Sequence, residues 1–404
     1  MTLMPVSEAL AMTLTGVASL GPEQVGLRLA HGRTLAHALT AALTHPPFDA
    51  SAMDGYAVRS KDFQNGAMTL AITGEAAAGW PFGGTVGPGE AVRIFTGAPL
   101  PDGADTVVIQ EDVVASGQRV TISQAPRSRD NVRPRGGDFH DGEIVVKRGQ
   151  VLNARDILLA AASGHAMLAV VKRPVVAILA TGDELVEPSD RPAAGQIVSS
   201  NSYGLAALVE AAGGTAKLLG IAKDTADDLA LKISDAEDAD IIVTTGGASV
   251  GDHDLVRPAF EAAGATLRFY KIAMRPGKPT FFGTRPLARG GTQRIVGLPG
   301  NPLSAMISAR LFLVPLIAAM LGRRDAPSRL QATLSKPITA TGPREHYMRA
   351  IVDTSVSPPQ VAPLASQDSS LVSILAAANA LIVLPANTPA LAAGAPVSVM
   401  PLDF

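Results

Sequence analysis

The sequence predicts a multidomain chain of α/β and β class. A parallel sheet with crossover helices occupies residues 173–324, and two small β domains flank it, the first inserted into a helical domain. Three observations carry this. From residue 173, apolar runs alternate with helical segments of about a dozen residues, the pattern of parallel strands joined by crossovers. Residues 66–122 and 330–404 instead give short β runs punctuated by Gly and Pro. The helix expected at 154–163 resembles the N-terminal helices more than the β runs between them, so the β domain reads as an insertion.

Composition narrows the class. At 404 residues the chain has room for roughly two to four domains, each with its own core. With 47% apolar and 17% charged residues it is globular rather than disordered. A formal net charge of −2 offers no electrostatic case for nucleic-acid or membrane partners. The absence of cysteine excludes disulfides, zinc ribbons, iron–sulfur clusters and Cys nucleophiles. Met1–Leu20 lacks the basic start and apolar run of a signal peptide. No stretch of about twenty apolar residues runs without a charge, Pro or Gly. A soluble, cytoplasmic protein is expected.

In chain order, Val6, Leu10, Leu14 and Val17 share one face of a helix expected over 6–20, and Leu27, Leu35 and Leu39 suggest a second over 27–40. Pro46 and Pro47 break any helix, and Asp54-Gly55 turns into a strand at Tyr56–Val58. Short β runs follow at Thr69–Thr73, Ala91–Phe95, Thr106–Gln110 and Arg119–Ile122. The charged stretch 127–150, with Arg127, Arg129, Arg133, Arg135 and Asp138, reads as a solvated linker or as part of a site. Asn153 caps the helix at 154–163 and Gly164 stops it.

The alternation then runs strand 175–180, helix 203–212, strand 215–221, helix 225–236, strand 241–245, helix 254–263, strand 266–273, strand 294–298 and helix 303–321. Ligands of such sheets sit beyond the C-terminal strand ends. There the chain places Thr181-Gly182-Asp183-Glu184, then Thr244-Thr245-Gly246-Gly247 leading to Ser249, Gly251, Asp252 and Asp254, then Leu298-Pro299-Gly300-Asn301-Pro302. A Gly-rich turn before a helix N-terminus presents free N–H groups to an anion. One such turn alone is a plain βα connection; three on one edge make a pocket. In YKIAMRPGKP (270–279), an extended backbone would turn Lys271, Ala273 and Arg275 to one face, with Lys278 beyond the Pro276-Gly277 turn. These cations suit an oxyanion or phosphate, or else solvate an edge strand. Glu184, Asp224, Asp252 and Asp254 would supply oxygens to Mg²⁺, or cap helices.

At this point the motifs resemble a family. SAMDGYAV (51–58), RIFTGAPLPDGADTVVIQED (93–112), NVRPRGGD (131–138), TGDEL (181–185), TTGGASVGDHD (244–254), MRPGKP (274–279) and LPGNPLSA (298–305) are similar, in order and spacing, to those of the molybdopterin molybdenumtransferases, the MoeA family that includes the E domain of gephyrin. The resemblance implies an elongated helical domain from 1–46 and 137–172, an inserted small β domain over 47–136, a three-layer α/β molybdopterin-binding domain over 173–324 and a C-terminal β-barrel over 325–404. It also implies a homodimer with sites shared between subunits and an upstream molybdopterin adenylyltransferase as partner. The implied reaction inserts molybdenum from molybdate into adenylylated molybdopterin, with Mg²⁺-dependent release of AMP.

Carried over motif by motif, the catalytic positions are Asp54, Asp138, Glu184, Asp224, Asp254, Lys271 and Arg275. The cofactor-binding positions are Thr245, Gly246, Gly247, Ser249, Lys278, Pro299, Gly300, Asn301, Pro302 and Ser304. Glu184, Asp224 and Asp254 are the implied Mg²⁺ ligands; Arg275, Lys278, Arg349 and Ser369 are the implied molybdate contacts. Arg275 stands where some relatives carry Lys, and SQDSSLVSIL (366–375) matches its family loop only loosely. A gephyrin-like scaffold and a nucleotide-pyrophosphate hydrolase on the same α/β domain are the alternative readings.

Overall fold

The computed structural model describes residues 3–63, 66–247, 255–323 and 329–402; Ser249, Gly251, Asp252 and Asp254 lie outside the described residues. The chain divides into two compact units, one formed by Gln24–Val170 and the other by Met1–Glu23 with Val171–Phe404. The N-terminal helix α1 (Val6–Leu14) therefore belongs with the second unit. It stops six residues short of the expected helix end, where Arg294 takes up the carbonyls of Thr15 and Gly16 at 3.1 and 2.8 Å.

In the unit Gln24–Val170 the helix expected at 27–40 shrinks to α2 (Leu27–Ala30). Beyond it the backbone bonds sideways: Gly32 N donates to Leu152 O and Leu35 N to Gln150 O. The leucine spacing thus reflects burial of Leu35 and Leu39 against Leu152, Leu168 and Val170 rather than a helical face. The unit holds a six-stranded sheet of β1 (Gly55–Val58), β2 (Met68–Ala76), β3 (Glu90–Ile94), β4 (Thr106–Ile109), β5 (Val113–Ser116) and β6 (Arg119–Ile122), in the order β4-β1-β3-β2-β6-β5. The helix α3 (Ala154–Ala162) opens on a capping box: Asn153 Oδ1 accepts from the backbone N–H of Arg155 and Asp156, and Asp156 Oδ2 accepts from that of Asn153. Helix in this unit is confined, among the described residues, to α2, α3 and short 3-10 turns.

The second unit carries the α/β sheet. Its strands are β7 (Val175–Thr181), β8 (Thr215–Ala222), β9 (Ile241–Thr245), β10 (Thr266–Phe269), β12 (Phe281–Pro286) and β13 (Thr292–Leu298); β11 (Met274–Arg275) leaves the sheet for the barrel. The order is β8-β7-β9-β13-β12-β10. The first four strands are parallel, as expected, but β12 runs antiparallel between β13 and β10, so the sheet is mixed. Sequence reading missed β12 because Gly283 and Pro286 interrupt its apolar run. The expected strand 266–273 likewise ends at Phe269.

Helices α5 (Ala226–Ser234) and α6 (Val256–Ala262) cover one face, burying Leu229, Ile233, Val256 and Phe260 against Ala177, Leu179, Ile242 and Ile295. The other face packs α4 (Asn201–Ala211) and the helical rod α7 (Pro302–Met320). This rod is long and apolar enough to cross a membrane, yet 89% of its most apolar window is buried within the protein, as befits a core helix.

The C-terminal strands β14 (Leu330–Leu334), β15 (Glu345–Asp353), β16 (Gln360–Pro363), β17 (Ala380–Leu384) and β18 (Pro396–Pro401) close on themselves in the order β15-β16-β14-β18-β17, with β17 pairing back to β15. This five-stranded barrel encloses Ala350, Val361, Ile382 and Val399. β11 pairs in parallel with the start of β15, Met274 opposite Glu345 and Arg275 opposite His346.

Candidate functional site

The three turns expected on one sheet edge do converge. At the C-terminal ends of β7, β9 and β13 a cavity of about 410 Å³ is lined by Thr181, Glu184, Thr245, Gly246, Gly247, Pro299, Gly300, Asn301 and Pro302, among others. A buried parallel sheet forces its connections out at this edge, which is why three turns distant in sequence meet there. Gly246 is required at its place. Its φ is +92°, and a Cβ would stand 2.4 Å from the carbonyl oxygen of Thr181. Ser304 lies 4% exposed in the first turn of α7, beneath the Pro299–Pro302 loop.

Sequence reading missed the part of the wall formed by Ile197–Asn201. Nothing local in Ser199-Ser200-Asn201 announces what this stretch holds. Asn201 Nδ2 donates to Gly300 O at 2.7 Å, tying this wall to the loop after β13. Its Oδ1 is buried with no partner among the described residues, an acceptor available to a ligand N–H.

An acidic rim borders the cavity. Asp224 N donates to Asp183 Oδ1 at 3.2 Å. Desolvation, then the neighbouring charges of Asp183 and Glu184, raise the Asp224 carboxyl above its usual range. Carboxylates that repel one another are hard oxygen donors suited to a divalent cation. No group of three or more His, Cys, Asp or Glu ligands converges among the described residues. Mg²⁺ fits such a rim because it takes one or two carboxylates and fills its shell with water and phosphate oxygen.

The basic residues lie beyond the cavity wall, which ends at Pro279 in this direction. Lys271 and Lys278 are linked through the backbone: Lys271 O accepts from Met4 N, and Lys278 O from Ile272 N. Arg275 and Lys278 are exposed. Arg275, Arg344 and Arg349 surround His346; its burial, foremost, and then these three cations hold its imidazole down at about 4. Arg349 is fully buried in β15. It donates from Nη1 to Asp368 O at 2.8 Å, whereas its Nε and Nη2 have no partner among the described residues. Burial pulls its pKa below the ordinary value. Ser369 reaches the cavity loop: Asn301 Nδ2 donates to Ser369 Oγ at 3.0 Å, and Leu303 N to Ser369 O at 3.2 Å. An oxyanion is the chemistry that buried, under-bonded guanidinium donors accept.

In the other unit, Asp54 stands at the start of β1. Its Oδ1 accepts from both the backbone N and Oγ1 of Thr96, each at 2.8 Å. These bonds, backbone first, hold the Asp54 carboxyl below the usual carboxylate range. Arg93 lies 5.1 Å from the Tyr56 ring and 4.9 Å from that of Phe95. Asp138 is exposed, its N donating to His45 O at 3.1 Å.

Comparison with known proteins bears on these features. Three family models match consecutive parts of the chain: MoeA N-terminal region (domain I and II) over 4–164, a probable molybdopterin binding domain over 177–319, and MoeA C-terminal region (domain IV) over 331–402. The molybdopterin molybdenumtransferase of Nostoc sp. is 37% identical over 392 residues, 95% of this chain and 89% of that protein. The enzyme of that name from Staphylococcus aureus is 34% identical over 98% of this chain and 95% of its own length. Among solved structures, a molybdopterin biosynthesis MoeA protein from Pyrococcus horikoshii superposes with a TM-score of 0.87 at 29% identity, covering 100% of both chains.

Proposed function

The chain belongs to the molybdopterin molybdenumtransferase, or MoeA, family of molybdenum cofactor biosynthesis, and from that premise we propose that it inserts molybdenum from molybdate into adenylylated molybdopterin with release of AMP. The observation that carries the reading is the cavity at the ends of β7, β9 and β13, joined through Asn301 and Ser369 to the loop over buried Arg349. A pocket of flat backbone turns next to under-bonded cations suits one substrate with a heterocycle and phosphates, and a second that is a tetrahedral oxyanion.

In this reading the backbone of Thr245–Gly247 and Pro299–Pro302 holds the pterin and phosphate groups. Lys271, Lys278 and Arg275 offset the charge of phosphate and molybdate, and Arg349 and Ser369 orient the oxyanion. Glu184 and Asp224 would hold Mg²⁺, which when bound supplies positive charge at the phosphate oxygens. Asp54, kept ionised by Thr96, orients the displaced groups, and Asp138 serves the same edge. We further place the enzyme in the cytoplasm as a homodimer. There the α/β cavity of one subunit is completed by the inserted domain of its partner, and a molybdopterin adenylyltransferase supplies the substrate.

Purified protein given adenylylated molybdopterin, Mg²⁺ and molybdate tests this, with AMP release and cofactor formation followed together. Both are expected, and both should fall by at least about tenfold in Asp54→Ala and Glu184→Ala with the fold intact. AMP release without molybdate and without cofactor would make the protein a nucleotide-pyrophosphate hydrolase. A folded protein that does neither would leave the scaffold reading.

A further inference from the structure

Trp80 is the single tryptophan of the chain, and it stands 79% exposed. It closes a tight turn in which Ala77 and Trp80 exchange backbone hydrogen bonds, both of 2.9 Å. The hairpin is anchored from below by Phe82. That ring passes so close to Gly74 that a Cβ there would lie 2.3 Å from it, and it packs on the buried cluster of Ala57, Ala76 and Val92. One aromatic fixes the turn while the other is held out. Among the described residues no ring or cation stacks on the Trp80 indole.

The position of this turn gives the indole its context. Strands β2 and β3 are parallel with Ala76 opposite Ile94, so the turn at 77–80 and the loop at 95–98 leave the sheet at one end. β1 is antiparallel to β3 with Gly55 opposite Ile94, which brings Asp54 to that same end. The two loops touch: a Cβ on Gly97 would be 3.9 Å from that of Ala78. Thr96, which binds Asp54, and Phe95, which stacks on Arg93, belong to the second loop. One sheet end thus gathers a fixed carboxylate, a held guanidinium and an open aromatic face.

We infer that Trp80 supplies a stacking face for the flat heteroaromatic ring of the substrate, pterin or adenine, beside Asp54. A planar π system is sequence-tolerant toward such rings, whereas an aliphatic tip would not orient them. The inference rests on the substrate proposed above.

Because Trp80 is the sole tryptophan, its emission reports on its own face. In the full-length protein, titration with AMP and, separately, with pterin should give saturable quenching with one of them, which names the ring. In turnover, Trp80→Ala should raise KM for adenylylated molybdopterin roughly five- to hundredfold while kcat stays within about twofold, as loss of base stacking predicts. Trp80→Phe should recover most of that loss, which a merely structural role would not require. An unchanged KM in Trp80→Ala overturns the inference. So does emission that follows protein concentration rather than probe, since a second copy would then cover the indole. If the wild-type protein releases no AMP, the proposed reaction fails, and the titrations alone decide: saturable quenching sustains the stacking face, and no quenching removes it.

Discussion

Replacing Gly246 with alanine tests whether the cavity floor is as tightly built as it looks. The residue has φ of +92°, and the new Cβ would stand 2.4 Å from Thr181 O and 2.9 Å from Thr181 Oγ1. The backbone conformation alone costs an L residue about 1–2 kcal/mol. Overlap with a carbonyl fixed in a central strand adds about 1–3 kcal/mol. Gly291→Ala supplies the control, because its φ is +87° and nothing lies within 4 Å of the added atom. It carries the first cost without the second. Urea unfolding should therefore place Gly246→Ala below Gly291→Ala by about 1–3 kcal/mol at an unchanged m value. AMP release should fall in the first variant only, since only its loop lines the cavity. Equal losses in the two variants would refute the claim that Thr181 closes this position to any side chain.

Two further outcomes follow from the basic cluster. His346 is neutral in the folded protein down to about 4, while in the unfolded chain it takes up a proton below about 6.5. The unfolded state then binds more protons between those values, so stability present above 6.5 is lost as pH falls toward 4. His346→Gln should flatten the urea midpoint across that window, and an unaltered slope would contradict the assignment. Arg349→Met replaces a buried cation, two of whose nitrogens have no partner among the described residues, by an apolar chain of similar reach. Stability should change by less than about 1.5 kcal/mol. The molybdate concentration for half-maximal turnover should rise roughly ten- to hundredfold, the worth of a charge-assisted hydrogen bond.

Much of this was legible in the sequence, for identifiable reasons. The runs at Val175–Thr181 and Ile241–Thr245 are continuous and apolar because both faces of their strands are covered, and the Gly turns after them mark where a parallel sheet must release its chain. The convergence of those turns followed from topology alone. Elements governed by nonlocal pairing were not legible. Leu27, Leu35 and Leu39 repeat like a helix, yet from Gly32 onward the backbone bonds to residues 149–152, a partner no local pattern announces. Strand β12 carries the Gly and Pro that argue against a central strand, and its register with β13 was invisible from one side. Ser369 matched its motif only loosely, and its bond to Asn301 spans 68 residues. Asn201 drew no reading because its contact with Gly300 is equally remote.

The pairing of β11 with β15 and the bonds from Asn301 and Leu303 to Ser369 have a consequence for the barrel as a whole. Both tethers cross from the α/β layer to the C-terminal strands, and both end at groups that the proposed reaction would engage. The barrel is then a load-sharing frame whose integrity and whose ligand are thermodynamically conjugate. Any molecule gripped by the two sides together must raise the free energy needed to melt the barrel by RT ln(1 + [L]/Kd), and a loosening that populates the melted barrel weakens the apparent grip by the fraction of molecules whose barrel stays intact. A change far out on the C-terminal strands, touching no substrate, would reach the ligand once it lowered the fraction of molecules with an intact barrel.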